Sequence, residues 1–485
     1  MSAAIPQGWQ ECRLENCVEV LDSLRVPVNN VERQSRIEGK SAEQLYPYYG
    51  ATGQVGVIDD FLFDEELVAL GEDGVPFLDP FKQKAYMLCG KTWVNNHAHV
   101  LRGLDGVALN KFVFYYLNQF DYQGYVNGGT RLKLTQANMR IIPIPLPPLA
   151  EQTRIAAKLD ELLAQVDTLK ARIDGIPALL KRFRQSVLAA AVSGRLTEEW
   201  RVVNTSLSGA FELHRRLKAA HTAEGGHARG NASDPTEEAH DLCHSELPEQ
   251  WDIAELRDVC APGRPITYGI LKPGPELEEG VPYIRVADFP GNKLNLASIK
   301  KTSPEIDLQY KRARLITGDL LLSIRGSVGR LIKIPRVLEG ANITQDTARL
   351  SISSLVSTDF VYWTLLSDST QRRMRNATRG VAVRGINIGD VRALQIPLPP
   401  AEEQTEIVRR VEQLFAFADQ LEARVKAAQA HIDRLTQSIL AKAFRGELVP
   451  QDPNDEPASV LLERIKAQRA AAPKARRGRR TATLS

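Results

Sequence analysis

Apolar residues recur at alternating spacings of four and three residues in two long stretches of the chain, with charged and small polar residues between them. This heptad pattern continues for more than four heptads in each stretch and is typical of coiled-coil helices. The positions are Ile155, Leu159, Leu162, Val166, Leu169, Ile173, Ile176, Leu180, Phe183 and Val187, then Ile407, Val411, Leu414, Ala418, Leu421, Val425, Ala428, Ile432, Leu435 and Ile439. The pattern predicts two long helices whose apolar seams pack on each other.

The two stretches belong to a duplicated segment, residues 144–196 and 396–448, which align without a gap. Of the 53 aligned positions 24 are identical, including an opening Ile-Pro-Leu-Pro-Pro and a late glycine, Gly194 or Gly446. The prolines prevent the helix from extending upstream, and the glycine suits its C-terminal end. Because the chain must return, we expect the helices to be antiparallel. The alternative is that each helix packs only on its own domain.

The two predicted helices differ near their middle. A helix of about 40 residues is about 60 Å long, which exceeds the size of a small domain. Gly175 and Pro177 interrupt the first helix, where the second has Ala427 and Gln429. Proline inside a helix removes a hydrogen bond and usually produces a kink. We therefore predict a bend or break between Gly175 and Pro177.

The segments before the two helices predict globular domains with short strands and glycine-rich turns. They are weakly similar, since Pro6 and Trp9 in the first match Pro248 and Trp251 in the second, but their middles diverge. The predicted fold class is α+β, with two mixed α/β domains separated by two long helices. The predicted boundaries are 1–143 for the first domain, 144–200 for the first repeat helix, 201–245 for a linker, 246–395 for the second domain, 396–450 for the second repeat helix and 451–485 for a C-terminal segment with a basic tail.

Composition narrows the class of protein. The chain has 485 residues, 43% of them hydrophobic and 25% charged, which is ordinary for a globular protein of several domains. It contains no run of 18 apolar residues and no signal-peptide pattern at its N-terminus. Five scattered cysteines suit reduced thiols better than a disulfide framework. We therefore expect a cytoplasmic protein.

Charge restricts where nucleic acid could bind. The net charge is only +3, so any nucleic-acid surface must be local. The C-terminal tail is the exception, because it is basic with almost no acidic residues. It is either a solvated tail or a non-specific phosphate contact. Its cations are Lys466, Arg469, Lys474, Arg476, Arg477, Arg479 and Arg480.

Motifs for catalysis are missing from the sequence. It has no phosphate-binding loop, dinucleotide fingerprint, adenine-methyltransferase Asn-Pro-Pro-Tyr, H-E-x-x-H or G-x-S-x-G. His97 and His99 follow Asn95 and Asn96, which predicts a hydrogen-bonding loop rather than a catalytic base. A metal site is not expected either, because the histidines and cysteines lack ligand spacing. The sequence therefore predicts a protein that is not an enzyme.

Several segments resemble a known family. Residues 144–152 and 180–188 are similar to the central repeat of the DNA-specificity subunit of Type I restriction-modification enzymes. Residues 318–327 and 342–346 resemble segments of the target recognition domains of that family, and residues 452–459 also resemble it. The resemblance covers nearly the whole chain except the linker and the tail. In the first domain the loops differ, with Tyr-Tyr-Gly-Ala-Thr-Gly from Tyr48 and Asn-Asn-His from Asn95.

The resemblance implies a non-catalytic DNA-binding subunit. Each recognition domain would bind one half of a bipartite site in double-stranded DNA, and the helices would set the length of the spacer. The same helices would dock two methyltransferase subunits, which carry S-adenosylmethionine, and two motor-nuclease subunits, which use ATP and Mg²⁺, would join for cleavage. This chain itself would hold no cofactor. A long coiled coil is stiff enough to fix half-site spacing.

Candidate DNA contacts are polar and aromatic side chains of the two domains. Arginine can bridge guanine O6 and N7, while Gln and Asn can bridge adenine N6 and N7, although many such groups contact phosphate instead. In the first domain the candidates are Tyr49, Thr52, Lys91, Asn95, Asn96, Arg131, Lys133 and Gln136. In the second they are Tyr268, Arg325, Ser327, Arg330, Gln345, Arg379 and Arg384.

A second class of function fits the same architecture. A coiled-coil adaptor with two protein-binding domains would need no DNA-binding surface, and the modest net charge favours it. Binding to duplex DNA that weakens steeply with salt would distinguish the two, because contacts from Lys and Arg to phosphate release counterions.

Overall fold

The computed structural model describes residues 5–204, 209–223, 242, 246–379 and 384–471, with side chains described up to residue 467. The basic tail from residue 472 onward lies outside the described residues. The chain divides into two compact units, residues 1–175 with 425–485 and residues 176–424. Each unit therefore combines one predicted domain with parts of both repeat helices, and the division falls inside those helices rather than at the predicted boundaries.

Residues 5–148 form a domain of short strands around small helices. Two four-stranded sheets, in the orders β4-β3-β8-β5 and β2-β9-β6-β7, make up most of it, and all pairs except β3 with β8 are antiparallel. The elements are β1 (Gln10–Arg13), α1 (Leu14–Cys17), β2 (Val18–Val20), α2 (Asn30–Ile37), β3 (Tyr46–Gly50), β4 (Gly53–Ile58), β5 (Phe63–Asp64), β6 (Leu67–Gly71), β7 (Ala85–Leu88), β8 (Lys91–Val94), β9 (Ala98–Gly103), α3 (Asn110–Gln119), β10 (Val126–Asn127), β11 (Lys133–Leu134), α4 (Gln136–Arg140) and β12 (Pro143–Leu146).

The first repeat helix is interrupted. α5 (Leu149–Asp174) ends one residue before Gly175, and α6 (Ile176–Val192) begins directly after it, with Pro177 in its first turn. Two shorter helices follow, α7 (Glu198–Val203) and α8 (Ala210–Ala223). Pro177 has no amide hydrogen, so the backbone bond that would continue α5 across Gly175 cannot form.

Residues 246–398 form the second domain, which repeats the plan of the first. An antiparallel strand pair joins its two ends, and one sheet has the order β14-β20-β17-β18 and the other β16-β15-β19, with β15 and β19 parallel. The elements are β13 (Asp252–Glu255), β14 (Thr267–Tyr268), β15 (Val281–Ile284), β16 (Lys300–Thr302), α9 (Pro304–Gln309), β17 (Leu320–Ser323), β18 (Leu331–Lys333), β19 (Asn342–Ile343), β20 (Thr347–Leu350), α10 (Thr358–Leu366), α11 (Asp368–Asn376), α12 (Ile388–Ala393) and β21 (Gln395–Leu398).

The Ile-Pro-Leu-Pro-Pro segment has the same role in both copies. It forms β12 in the first copy, antiparallel to β1, with Cys12 opposite Ile144. In the second it forms β21, antiparallel to β13, with Ala254 opposite Ile396. The repeat helix begins directly after the prolines, so the strand pair ties the start of each helix to the start of its own domain.

The second repeat helix is continuous, because Ala427 and Gln429 replace the glycine and the proline. α13 (Ala401–Phe444) spans 44 residues, and α14 (Ala458–Ala471) follows it. None of the described helices is both long and apolar enough to cross a membrane.

Within each unit the repeat helices pack antiparallel. In the first unit Lys170 Nζ contacts Asp433 at 3.1 Å, and Gln429 Nε2 donates to Asp174 at 2.7 Å, so residue numbers fall along one helix as they rise along the other. In the second unit Arg184 contacts Asp419 at 2.5 Å and Glu422 at 3.1 Å.

Ten of the twenty seam residues are buried, eight are half-buried and two are exposed. Ile155, Leu159, Ile407 and Val411 are fully buried, whereas Leu169 and Leu435 stay 48% and 39% exposed.

A further helix lies inside the predicted linker, residues 201–245. α8 lies in that stretch, and its Leu213 and Leu217 belong to the core of the second domain. α14 has the corresponding place in the first unit, where Leu461 and Leu462 pack into the core of the first domain. The duplicated unit therefore extends past each repeat helix to include a short packed helix.

Candidate nucleic-acid interface

Three loops of the first domain meet at one end of its sheets. The amide of Asn95 in the β8–β9 turn donates to the carbonyl of Tyr49 at 3.0 Å, and the amide of Glu72 donates to a carbonyl of the same turn at 2.8 Å. A backbone bridge joins Asp73 to Lys133. The loops bring together six predicted contacts: Tyr49, Thr52, Asn95, Asn96, Arg131 and Lys133.

The cations of this end are already paired with carboxylates. Arg131 Nη2 lies 2.7 Å from Asp73, and Lys133 Nζ lies 3.1 Å from Glu72. His97 Nδ1 is a second partner of Asp73 at 3.1 Å. Burial opposes ionisation of Asp73, but the hydrogen bonds from Arg131 and His97 outweigh it and lower the pKa of the carboxyl group. A DNA phosphate would have to compete with Asp73 and Glu72 for these cations.

The side chain of Gln136 is also hydrogen-bonded to a carboxylate. Its amide nitrogen donates to Asp22 at 2.9 Å, and Asp22 also lies 2.6 Å from Nδ1 of the buried His99. Burial opposes ionisation of Asp22, but the hydrogen bonds from His99, the amide of Val100 and Gln136 lower its pKa. We call Asp22, Glu72 and Asp73 the carboxylate cluster.

Two of the predicted contacts support the loops themselves. The Tyr49 ring stacks on Tyr86 with ring centroids 5.5 Å apart, and burial raises the pKa of Tyr49. Asn95 Oδ1 accepts the amide of His97 at 2.8 Å, which closes the turn. Thr52 and Asn96 are exposed.

Lys91 lies apart from the other predicted contacts. It begins β8, whereas Asn95 follows the end of that strand, so the two residues are about 13 Å apart along the chain. The Lys91 ammonium lies 4.7 Å from the centre of the Phe61 ring and 5.7 Å from that of Tyr46. The structure therefore gives Lys91 a cation–π contact at the opposite end of the sheet.

Three arginines of the second domain converge through backbone pairing. Arg379 and Gly385 exchange two hydrogen bonds of 2.8 and 2.9 Å, and the amide of Gly326 donates to the carbonyl of Arg384 at 2.9 Å. A further bridge joins Arg325 to Gly385. We call Arg325, Arg379 and Arg384 the arginine cluster, and all three are exposed.

The arginine cluster differs from its counterpart in the first domain. Among the residues that the structure describes, no ion pair joins any of its three guanidinium groups to a carboxylate. Arg330, predicted with them, is half-buried and directs its guanidinium to the carbonyl of Val286 at 3.4 Å. Unpaired, exposed guanidinium groups are available to phosphates and to base edges.

The remaining predicted contacts of the second domain are Gln345, Ser327 and Tyr268. The backbone amide of Gln345 donates to the carbonyl of Ile270 at 3.0 Å. The backbone carbonyl of the next residue, Asp346, accepts the backbone amides of residues 324 and 325. The exposed Ser327 lies two residues after Arg325, and Tyr268 is 45% exposed on β14.

Sequence reasoning missed two sets of residues. It did not find the carboxylate cluster, because its partners are distant along the chain. It also gave no role to Glu151 and Glu403, each of which accepts a hydrogen bond from a tryptophan at the start of its own domain. The signal was present, since both tryptophans and both glutamates are matched between the copies.

The chain matches a protein-family model twice. The model describes the Type I restriction modification DNA specificity domain and matches residues 6–178 and 248–428. Each match covers one domain and more than half of the repeat helix that follows it. Together the two matches cover most of the chain. The chain belongs to this family. The predicted family, that of the specificity subunits of Type I restriction-modification enzymes, is confirmed by this match.

Curated members of the family are similar in sequence. The EcoBI specificity subunit of Escherichia coli is 42% identical over 337 residues, which cover 68% of this chain and 65% of that protein. The EcoKI specificity subunit of Escherichia coli K12 is 35% identical over 358 residues, covering 69% and 66%. These two alignments span just under two thirds of the relatives. The EcoDI specificity subunit of Escherichia coli is 31% identical over 491 residues, covering 97% of this chain and 98% of that protein.

Two solved structures share the fold. A chain from a study of complex assembly in the type I R-M system has a TM-score of 0.56 at 18% identity and covers 92% of this chain and 100% of that chain. The HsdS subunit of Thermoanaerobacter tengcongensis has a TM-score of 0.52 at 19% identity, covering 92% and 99%. The predicted fold class, two mixed α/β domains with two long antiparallel helices, is confirmed.

Proposed function

We propose that this specificity subunit reads a bipartite site in double-stranded DNA, one half with residues 1–143 and the other with residues 246–395. The proposal is supported by the repeated plan of the two domains and by the divergence of the loops at their ends. Two domains with the same fold but different loops suit the recognition of two different DNA sequences. The observation that carries the proposal is the arginine cluster at the loop end of the second domain, exposed and without an ion-pair partner among the described residues.

The proposed contacts of the second domain are Arg325, Arg379 and Arg384, with Ser327, Gln345 and Tyr268 beside them and Arg330 at the base of the same loop. In the first domain Thr52, Asn96, Arg131 and Lys133 are the favoured contacts. Tyr49, Asn95 and Gln136 complete that surface, and their internal bonds favour a supporting role. Lys91 would touch DNA only at the far end of the sheet.

The repeat helices, residues 144–200 and 396–450, would set the spacer between the half-sites. They would also dock two methyltransferase subunits, with S-adenosylmethionine bound there, and two motor-nuclease subunits using ATP and Mg²⁺ would complete the cleaving complex. The half-exposed Leu169 and Leu435 support a role for the helix pair as a docking surface. Such a complex would work in the cytoplasm.

Modification mapping tests the proposal. The chain is co-expressed with the methyltransferase gene that neighbours its own, and modified adenines in the host DNA are mapped by long-read sequencing. A methylated, split motif with one fixed spacer is expected. A stable complex that methylates no split motif would contradict the proposed reading of DNA. Absence of both a co-purified methyltransferase and salt-dependent DNA binding would favour an adaptor instead.

A further inference from the structure

Each domain begins with the same tryptophan turn. The amide of Trp9 donates to the carbonyl of Pro6 at 3.1 Å, and the amide of Trp251 donates to that of Pro248 at 2.8 Å. The turn directs the indole toward the first turn of the repeat helix that follows the domain. Trp9 Nε1 donates to Glu151 at 3.0 Å, and Trp251 Nε1 donates to Glu403 at 2.8 Å.

The same turns also contact the far end of the other repeat helix. Gly446 lies so close to Pro6 that an added Cβ would sit 2.6 Å from the proline Cγ, and for Gly194 and Pro248 the distance is 2.4 Å. Both glycines have left-handed φ angles, of 73° and 77°. A side chain at either position would meet both a clash and an unfavourable backbone conformation.

These contacts define two equivalent sites inside the two units. The first junction is Pro6, Trp9, Glu151 and Gly446, and the second junction is Pro248, Trp251, Glu403 and Gly194. Each junction holds the start of a domain between the beginning of one repeat helix and the end of the other. Gln152 and Gln404 strengthen them, since their side chains accept the amides of Leu109 at 2.9 Å and Ser357 at 2.8 Å.

The two junctions differ in how the glutamate is held. Glu403 Oε1 accepts hydrogen bonds from Thr197 at 2.6 Å and from Arg201 at 2.5 Å, in addition to the indole on Oε2. The Arg201 guanidinium also lies 5.9 Å from the centre of the Trp251 ring. Buried and bonded on both oxygens, Glu403 anchors the second junction with three donors.

Within the described part of the chain, Glu151 has a single donor instead of three. Its Oε1 is buried and has no hydrogen-bond partner there. Arg154, one turn along α5, pairs with Asp455 at 2.6 Å. Burial raises the pKa of Glu151. The first junction is therefore held by fewer bonds than the second.

We propose that the tryptophan–glutamate pairs are positioning residues that fix the angle of each recognition domain on the helices, and that the second junction is the stiffer of the two. The proposal rests on the proposed reading of a bipartite site. One base pair of spacer corresponds to about 3.4 Å along DNA, so a small shift of a domain on its helix is enough to reach a neighbouring spacing. Stiff junctions thus contribute to accepting one spacer only.

The test compares spacer selection by full-length variants. A pool of duplexes with a random central segment is selected with the full chain in complex with its methyltransferase partner, and the enriched sequences are read. Trp251→Phe and Trp9→Phe keep the aromatic ring but remove the indole donor. Trp363→Phe is a matched control, because Trp363 Nε1 is buried without a hydrogen-bond partner among the described residues.

For Trp251→Phe we expect unchanged half-site sequences but a fall of about tenfold in the preference for the wild-type spacer over its neighbours. That is the effect of losing one hydrogen bond to a charged group. Trp9→Phe should lower the preference less, and Trp363→Phe should leave it unchanged. Wild-type spacer preference in a folded Trp251→Phe variant would overturn the proposal, as would an equal fall in the control.

A second variant covers the case in which Trp251→Phe does not fold. Thr197→Val removes one donor to Glu403 and one acceptor of Arg201 at nearly constant volume, and it must then broaden the spacer preference. If the wild type enriches no split motif at all, the proposed function fails. That result is distinct from a sharp split motif whose spacer ignores the junction variants, which would overturn only the role of the junctions.

Discussion

The two recognition domains share a frame and differ in where their charges are placed. Both begin with a tryptophan turn, close with an Ile-Pro-Leu strand and carry two sheets with one parallel pair. In the first domain Arg131 and Lys133 are paired with Asp73 and Glu72. In the second domain the arginine cluster has no such pairing among the described residues.

The difference shows that similar cations can be used in two ways. An exposed guanidinium without a carboxylate can bind DNA phosphate directly, with a gain from counterion release. A guanidinium held by a carboxylate must first exchange its partner, so part of the gain is lost. The comparison therefore predicts that the second domain supplies more of the non-specific, salt-dependent binding to DNA.

The largest expected effect is on the free energy of unfolding, when the glutamate of either junction is changed. Glu403→Gln removes the charge that faces the mostly buried Arg201, and it should lower the free energy of unfolding by about 3 kcal/mol, as for other broken buried ion pairs. Glu151→Gln should cost less than about 1 kcal/mol, because burial already disfavours its charge. Urea unfolding of the two full-length variants measures both. Equal losses would show that the junctions are not different.

A smaller effect is expected in the loops. Alanine at Arg325, Arg379 or Arg384 should weaken DNA binding by about 1 to 3 kcal/mol and reduce the slope of log affinity against log salt by about one per residue. Arg131→Ala is the matched change in the first domain and should cost less than about 1 kcal/mol, because its charge is compensated by Asp73. Fluorescence anisotropy over a salt series on one duplex measures all four. A steeper loss for Arg131→Ala would reverse the comparison.

Removing the carboxylate instead of the cation also tests the comparison of the two domains. Asp73→Asn removes the carboxylate that Arg131 and His97 share, so Arg131 becomes available and binding of non-specific duplex should strengthen by up to about 1 kcal/mol. The matched control is Asp368→Asn, which releases Arg372 on helix α11. Weaker DNA binding by Asp73→Asn would show that the ion pair orders the loop for DNA rather than withholding the cation.

The smallest effect concerns pH and the helix α8. His214 on α8 lies 2.6 Å from Asp252 and 3.7 Å from Asp258. The nearby carboxylate of Asp258 is the main cause that raises the His214 pKa; burial opposes it, and the hydrogen bond to Asp252 adds to it. Because the pKa of His214 is higher in the folded chain than in the unfolded chain, where it is about 6.5, the protonated histidine stabilises the folded state. This contribution is complete below about pH 6.5 and is lost as the pH rises through the pKa of the folded state.

Thermal unfolding of the full chain should therefore show a modest loss of stability of the second unit from about pH 6.5 upward. Asp258 behaves oppositely, because its lowered pKa places its contribution above about pH 4. His214→Gln should flatten the dependence from about pH 6 to about pH 8 relative to wild type. An unchanged dependence in that variant would assign the titration to another group.

The sequence predicted the helices well because their signal is local. The heptad seam and the matched prolines define α5, α6 and α13, and Gly175 with Pro177 marks the interruption. α8 was missed because it is a 14-residue helix with only three large apolar residues, Phe211, Leu213 and Leu217, and its packing into the second domain stabilises it. The same reason applies to α14 in the C-terminal segment.

The predicted site was only partly accessible from the sequence. Arg325, Ser327 and Arg384 could be proposed from the chemistry of their side chains, and the structure places all three on the surface. Pairing could not be predicted, since Arg131 and Asp73 are 58 residues apart and Trp9 and Glu151 are 142 apart. No local pattern reports such contacts, and they decide which cations are free and which glutamate anchors a domain.

The central claim is that two domains of similar fold, each joined to a repeat helix, recognise DNA independently of each other. The most direct measurement replaces residues 246–395 with the corresponding domain of another family member and maps adenine modification by the reconstituted complex. The account predicts that one half of the split motif changes, while the other half stays the same. A change in both halves would contradict it, because the domains would then not read DNA independently.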